Sequence, residues 1–482
     1  MKPLRAVTVA VSLIVCSWTT LTSAASFGEL YTFTTTNGAG LNPVITSGGV
    51  LYGTASKGGL FGKGTVFRIS ADGSGFANLY NFTATSLSPA TNADGATPAG
   101  DLLLSGDVLY GVAFNGGTGG NGTIFKINTD GAGFTNLYSF SAETNTTNSD
   151  GAKPRGALVE GDGVLYGVTE GGGYTGDGTI FRINTDGTGF AVIYTFSAEQ
   201  GFGNADGIAP LAGLVLSGST LFGTTYDGGA TNRGVIFSVN TDGTGFTTLH
   251  SFSSLDSSNR NVDGASPWSR LLLSGNMLYG TTMFGGAGGS GTIFSVNTNG
   301  AAFNTLYSFT ARSSSAALTN SDGAQPRSDL VRSGNLLFGT TEDGGKGGSG
   351  TVFQICQDGS GFTNLYSFSQ GTTTNGTTTN DDGVNPCHRL TLSGNTLFGT
   401  TYTGGTGGAG VIFALQGVSS GAIPLQIMAE GNSVVLTWTD STFSLQTAPS
   451  VGGLFTNIPG ALSPYTNATI GPYQVFRLNW SP

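Results

Sequence analysis

Side chains able to do chemistry are scarce in this 482-residue chain, and most of them fall in a few columns of a repeat. There are two histidines, His250 and His388, and no Cys-x-x-Cys pair, G-x-S-x-G elbow or phosphate loop opening a helix. Two positions after a recurring Leu-Tyr-Gly-Thr core vary while their surroundings stay constant. The first holds Ser56, Phe114, Glu170, Tyr226, Met283, Glu342 and Tyr402. The second holds Lys57, Asn115, Gly171, Asp227, Phe284, Asp343 and Thr403. Positions just after a repeated proline add Arg155, Trp268, Arg270, Arg327, Asp329, His388 and Arg389. Interleaved rings, carboxylates and guanidinium groups suit sugar recognition, because rings stack on pyranose C–H faces and charged groups make directional hydrogen bonds. Phe114, Tyr226, Trp268 and Tyr402 are the stacking candidates. Arg155, Arg327, Glu170 and Glu342, with Asp227 and His388, are the polar ones. Glu170 and Glu342 could also do glycosidic acid–base work if the fold brought them together. The plain alternative is a set of unconstrained loop-edge positions.

A second motif, Asn-x-Asp-Gly-x-x-Pro, recurs from Asn92, Asn148, Asn204, Asn261, Asn320 and Asn380, with Asn37 to Pro43 as a first copy lacking the Asp. Asn and Asp two apart before Gly resemble the start of a calcium loop, but the late ligands are missing. The simpler expectation is a turn whose Asp caps backbone donors. No metal or other cofactor is expected, calcium being the one ion with a partial motif. His250 stands where other copies have Tyr and is expected to be a packing substitution.

The elements that must position these residues follow from the period. The aromatic of the Leu-Tyr-Gly core falls at Tyr52, Tyr110, Tyr166, Phe222, Tyr279, Phe338 and Phe398, at spacings of 58, 56, 56, 57, 59 and 60 residues. A fixed period of this size means one supersecondary unit in tandem. Each unit contains four short runs rich in β-branched and aromatic residues, bounded by Gly, Asn or Asp; in one unit these are 157–159, 164–168, 179–183 and 191–196. The fold class expected is all-β, a seven-bladed β-propeller over 27–417. The Leu-Tyr-Ser-Phe run occurs seven times but one place early, the first copy at Leu30–Phe33, and none follows Val411–Phe413. An open stack would leave two bare sheet edges. The N-terminal strand is therefore expected to close the ring as the outer strand of the last blade, three strands plus one. Strand alternation places the fourth-to-first and second-to-third loops, and with them the variable columns, on one face.

The tandem L-Y-G-T-T-x-x-G-G, G-T-I-F and D-G-x-x-P-x-x-x-L units over 27–416 resemble the GloVer (Gloeo/Verruco) repeat family. They are more loosely similar to Kelch propellers. The resemblance implies an exported bacterial protein, often surface-anchored through varied C-terminal modules, and attaches no catalytic residues to the repeat. No recognisable anchor is expected in this chain. Its segment 421–482 resembles small sandwich modules that end many secreted verrucomicrobial proteins, and a small β-sandwich (Ig/fibronectin-like) domain is expected there.

Residues 1–25 read as a signal peptide: Lys2 and Arg5, an apolar 6–16, then small residues. The apolar run is too short to span a bilayer, so a secreted chain without a transmembrane segment is expected. Without Lys2 and Arg5 the chain has 16 basic and 28 acidic residues, net −12, which argues against nucleic acid or anionic lipid as partner. Of the remaining cysteines, Cys356 ends a third strand and Cys387 begins a first. Those ends lie on opposite faces about 15–20 Å apart, so the two are expected to stay unbonded. Three readings stay open: a monomeric binding module for an extracellular glycan or protein, a glycan-cleaving hydrolase or lyase, and a structural surface protein.

Overall fold

The structure, a computed structural model, describes residues 25–199, 203–314 and 318–418 and six strands between 426 and 480. The signal-peptide segment lies outside the described residues. All the regular elements described are strands.

Seven antiparallel blades follow one another, each of four strands except the fifth, whose inner edge is split into Ala265–Pro267 and Leu272–Ser274. The first six run over 39–81, 96–139, 152–195, 215–251, 265–308 and 331–367. The seventh takes Thr391–Ser393, Thr396–Thr400 and Val411–Gln416 from the end of the array and Ser26–Thr32 from its beginning. The ring is thus closed three strands plus one, as the displaced Leu-Tyr-Ser-Phe copy implied. Innermost strands are longer than the apolar runs suggest in blades 1 to 3, where Ala152–Gly161, for example, continues above a bulge between Arg155 and Val159. Blades 4, 6 and 7 keep only three-residue inner ladders.

Sequence columns account for the core. Phe of the Thr-Ile-Phe strand packs against the Gly of the Leu-Tyr-Gly core: a Cβ on Gly111 would stand 2.5 Å from Phe125 Cζ. The last Phe of each outer strand, including Phe33, Phe140 and Phe309, is fully buried. Blades are joined by the outer-strand Tyr, which stacks on a Phe of the following blade. Tyr138 lies 3.7 Å from Phe190, Tyr366 lies 4.1 Å from Phe27, and Tyr31 lies 4.4 Å from Phe76. Phe27 and Tyr31 therefore give the closing strand both of its neighbours. His250 keeps the same place, stacking 3.8 Å from Phe303.

The Asn-x-Asp-Gly motif completes this joint. The Tyr80 hydroxyl donates to Asp94 Oδ2 at 2.9 Å, as does the Thr83 N–H at 2.8 Å. Asn92 donates to the Gly95 carbonyl and accepts from the N–H groups of Gly95 and Gly117. His250 Nε2 replaces the hydroxyl at 3.1 Å from Asp263. These side chains are turn and blade staples, and among the described residues no three His, Cys, Asp or Glu are grouped to hold a metal.

The C-terminal strands form two antiparallel three-stranded sheets, Gln426–Glu430, Ser433–Thr437 and Tyr465–Ala468 in one, Thr456–Asn457, Phe443–Ala448 and Val475–Trp480 in the other.

Candidate functional site

The approach to the central channel is set by the residue before the repeat proline. Thr97, Lys153, Ala209, Ser266, Gln325 and Asn385 all have φ between 54° and 59°, although none is glycine. Each donates its N–H to a carbonyl of the preceding blade, Thr97 to Lys63 at 2.8 Å and Lys153 to Asn121 at 2.8 Å. The proline then sits against a glycine of that blade, where a Cβ on Gly122 would meet Pro154 Cδ at 2.4 Å. Left-handed backbone is unfavourable for such residues and persists where neighbours over-determine it. Blade 1 departs from the expected register: Gly40 takes the left-handed place, and Leu41, not Pro43, takes the proline's place against Gly410.

From this turn the next side chains enter the channel. They enclose an open cavity of about 480 Å³ on the face of the long loops. Seven of the sequence candidates line it: Phe114, Arg155, Trp268, Arg327, Glu342, His388 and Tyr402. Glu170 stands behind, ion-paired to Arg155 at 3.0 Å, and Tyr226 packs edge-on to Trp268 with centroids 5.3 Å apart. Asp227 is not among the lining residues; its backbone pairs with Ile208, and burial raises its carboxyl pKa.

Within the cavity the rings are engaged with cations. The Arg327 guanidinium lies 4.0 Å from the Trp268 ring centre, with Arg155 at 5.5 Å from the same ring and 4.8 Å from Phe114. Lys57 Nζ is 5.7 Å from the Tyr402 ring. Arg327 also donates to Glu342 at 2.7 Å. Burial, and beyond it the facing Arg327, hold Arg155 below the ordinary arginine value against the pull of Glu170. His388 is half-buried at the cavity wall, its ring centre 6.4 Å from that of Tyr402. Burial and the Arg327 charge push its pKa down to about 4, so it is neutral at pH 7. Burial pushes the neighbouring Cys387 thiol up to about 12. Cys356 and Cys387 are both buried, and no disulfide joins them.

The floor of the cavity is a four-residue ionic network drawn from four blades. Asp101 meets Arg389 at 3.3 Å and Arg270 at 3.9 Å, and Arg270 meets Asp329 at 3.3 Å while donating its backbone N–H to the same carboxylate. Burial raises the Asp329 pKa. Arg389 and Asp329 also border a second cavity of about 390 Å³, so the network stands between two segments of the channel. Sequence reasoning named Arg270, Asp329 and Arg389 but missed Asp101. The signal was present, since Asp101 stands three residues after Pro98, in register with the other three.

Repeat, closure and channel geometry together place the molecule among known proteins. Residues 16–203 and 200–379 match the Gloeobacter/Verrucomicrobia repeat. The chain belongs to that family. Its membership accounts for the propeller frame and assigns no role to the cavity. No curated protein matches the chain. Among solved structures it is similar to an oligogalacturonate lyase from Vibrio parahaemolyticus, at 10% identity and TM-score 0.49 over 82% of this chain and 97% of that one. It is also similar to a puromycin-hydrolyzing peptidase of Mycobacterium tuberculosis, at 12% identity and TM-score 0.48 over 84% of this chain and 58% of that one. Likeness at this level says nothing of chemistry. Among the described residues no helix is long and apolar enough to cross a membrane.

Proposed function

We propose that this family member is an exported, monomeric binding protein that holds an extracellular carbohydrate at its loop-rich face. The observation that supports this reading is the meeting of seven variable candidates, from blades 2, 3, 5, 6 and 7, in one open cavity. Its volume of about 480 Å³ lies inside the range of about 300–1,000 Å³ usual for small-molecule sites. The amino-terminal leader pattern and the family support export. A glycan array, probed with soluble and insoluble polysaccharides, tests the reading. The intact chain is expected to bind, and Trp268→Ala, which removes the ring seating both arginines, to lose binding while the ring stays folded. No binding to any glycan on such an array defeats the carbohydrate reading.

A glycan-cleaving activity is the second reading, favoured by Arg327, a neutral His388 and Tyr402 around one cavity. Glu170 and Glu342 each hold an arginine, so they are not the free acid and base of a hydrolase pair. Chromatography of polysaccharides incubated with the protein decides this point: shortened products establish catalysis, and unchanged substrates leave binding alone.

A further inference from the structure

Three features of the cavity bear on what kind of sugar it takes. The first is how its rings are used. A ring whose face carries a guanidinium at 4.0 Å cannot also stack on a pyranose on that side. Phe114 and Trp268 act as seats for Arg155 and Arg327, which puts the guanidinium groups in the position to meet ligand.

The second is spare donor capacity. A guanidinium has five N–H donors. Among the described residues Arg327 donates to Glu342 through Nη1, and Arg155 faces Glu170 through Nε without forming an aligned hydrogen bond. Both Nε–H groups are buried and, among the described residues, lack an acceptor in hydrogen-bond geometry. These guanidinium groups line the open cavity, where an acceptor on a ligand can take the place of water.

The third is charge. The whole chain has formal net charge −10. Apart from the self-neutralised floor, the cavity mouth sets Lys57, Arg155 and Arg327 against Glu170 and Glu342, an excess of one positive charge. A positive mouth on an acidic molecule draws an anion inward.

We infer that the ligand is an acidic sugar whose carboxylate is held by Arg155 and Arg327 at the channel mouth. The inference rests on the carbohydrate reading above. A planar carboxylate accepts paired hydrogen bonds from guanidinium groups, which a neutral hydroxyl cannot match.

The test compares an oligouronide with its own methyl ester by isothermal titration calorimetry, alongside an array holding neutral, uronate-bearing, sialylated and sulfated glycans. The ester keeps the sugar frame and removes only the charge. Binding of the oligouronide is expected to exceed that of the ester at least tenfold and to weaken as salt rises. Arg155→Gln and Arg327→Gln are each expected to abolish the preference for the acid, with unfolding followed in parallel. The acid–ester comparison on the unaltered chain needs no variant to fold. Equal affinity for acid and ester, or binding of neutral or sulfated glycans alone, overturns the inference and leaves the carbohydrate reading standing. Absence of binding to every glycan overturns both.

Discussion

Ring closure by the N-terminal strand has a measurable energetic signature. Phe33 belongs to that strand's Leu-Tyr-Thr-Phe run and is fully buried, with ring contacts to Tyr31 at 5.0 Å, Phe67 at 5.1 Å and Phe76 at 5.3 Å. Phe140 occupies the equivalent place in blade 2, a strand continuous with its blade, and is equally buried. Truncating a buried Phe to Ala costs about 3–5 kcal/mol in lost transfer energy and residual cavity. With an unfolding entropy of about 2.1 cal/mol/K per residue over roughly 390 residues, that corresponds to a fall in Tm of about 4–6 °C. If the ring is one cooperative unit, Phe33→Ala and Phe140→Ala should shift the calorimetric transition equally. Starting the chain after Phe33 should do far more. It bares the 411–416 edge and removes the stacking of Phe27 on Tyr366 and of Tyr31 on Phe76. A Phe33→Ala shift under 1 °C beside a full Phe140→Ala shift would refute the reasoning, because the closing strand would then be a loosely held tail.

Two further predictions concern the cavity wall. The His388 pKa falls to about 4 in the folded chain from an unfolded value near 6.5, so its contribution to stability is complete above pH 6.5 and is lost as pH drops from 6.5 toward 4. The full shift would correspond to about 3 kcal/mol, and water in the open cavity reduces this to about 1–2 kcal/mol. His388→Gln should therefore flatten the stability curve between pH 6.5 and 4, which urea titrations at several pH values measure; identical pH dependence in both proteins would count against it. The Cys387 thiol, raised to about 12 and buried, should resist alkylation at pH 8 until the ring unfolds, and peptide mapping without reductant should recover Cys356 and Cys387 separately. Rapid labelling of Cys387 in the native protein would contradict its placement.

Much of the fold was legible because its determinants are side chains in fixed columns. A Leu-Tyr-Ser-Phe run displaced by one place could only be absorbed by closure, and Ser26–Thr32 beside Val411–Gln416 is that closure. His250 was readable as a Tyr substitute, down to the ring stack it preserves. The left-handed residue before each proline was not readable. Thr97, Lys153, Ala209, Ser266, Gln325 and Asn385 share no side chain, because the requirement is on the backbone alone. The Tyr–Asp staples were hidden by loop-length variation, the separation running from 12 residues for Tyr138 and Asp150 to 16 for Tyr366 and Asp382. The floor pair Asp101 and Arg389 lies 288 residues apart, and only the closed ring makes them neighbours. Trp268 reads in the sequence as an open platform; the adjacent blade's Arg327 covering it is a fact of packing across the blade boundary.

Whether the variable columns drift or are selected can be judged from how they match each other. The residue after the proline and the residue after the Leu-Tyr-Gly core sit side by side within a blade. Blade 3 combines Arg155 with Glu170, and blade 6 combines Arg327 with Glu342, at 3.0 and 2.7 Å. Blades 2, 4 and 5 combine Ala99 with Phe114, Leu211 with Tyr226 and Trp268 with Met283, uncharged with uncharged. Independent drift would not keep charges in step. Stability alone does not require them either, since a partly buried ion pair replaced on both sides by apolar residues is often nearly neutral. Arg327→Leu alone should destabilise by about 1–3 kcal/mol, because Glu342 loses its partner at the cavity wall. The double change Arg327→Leu with Glu342→Met should restore most of that loss and still lack acidic-sugar binding. If the double variant is as unstable as the single one, the pair is there for packing geometry, and its place in the mouth needs no ligand to explain it.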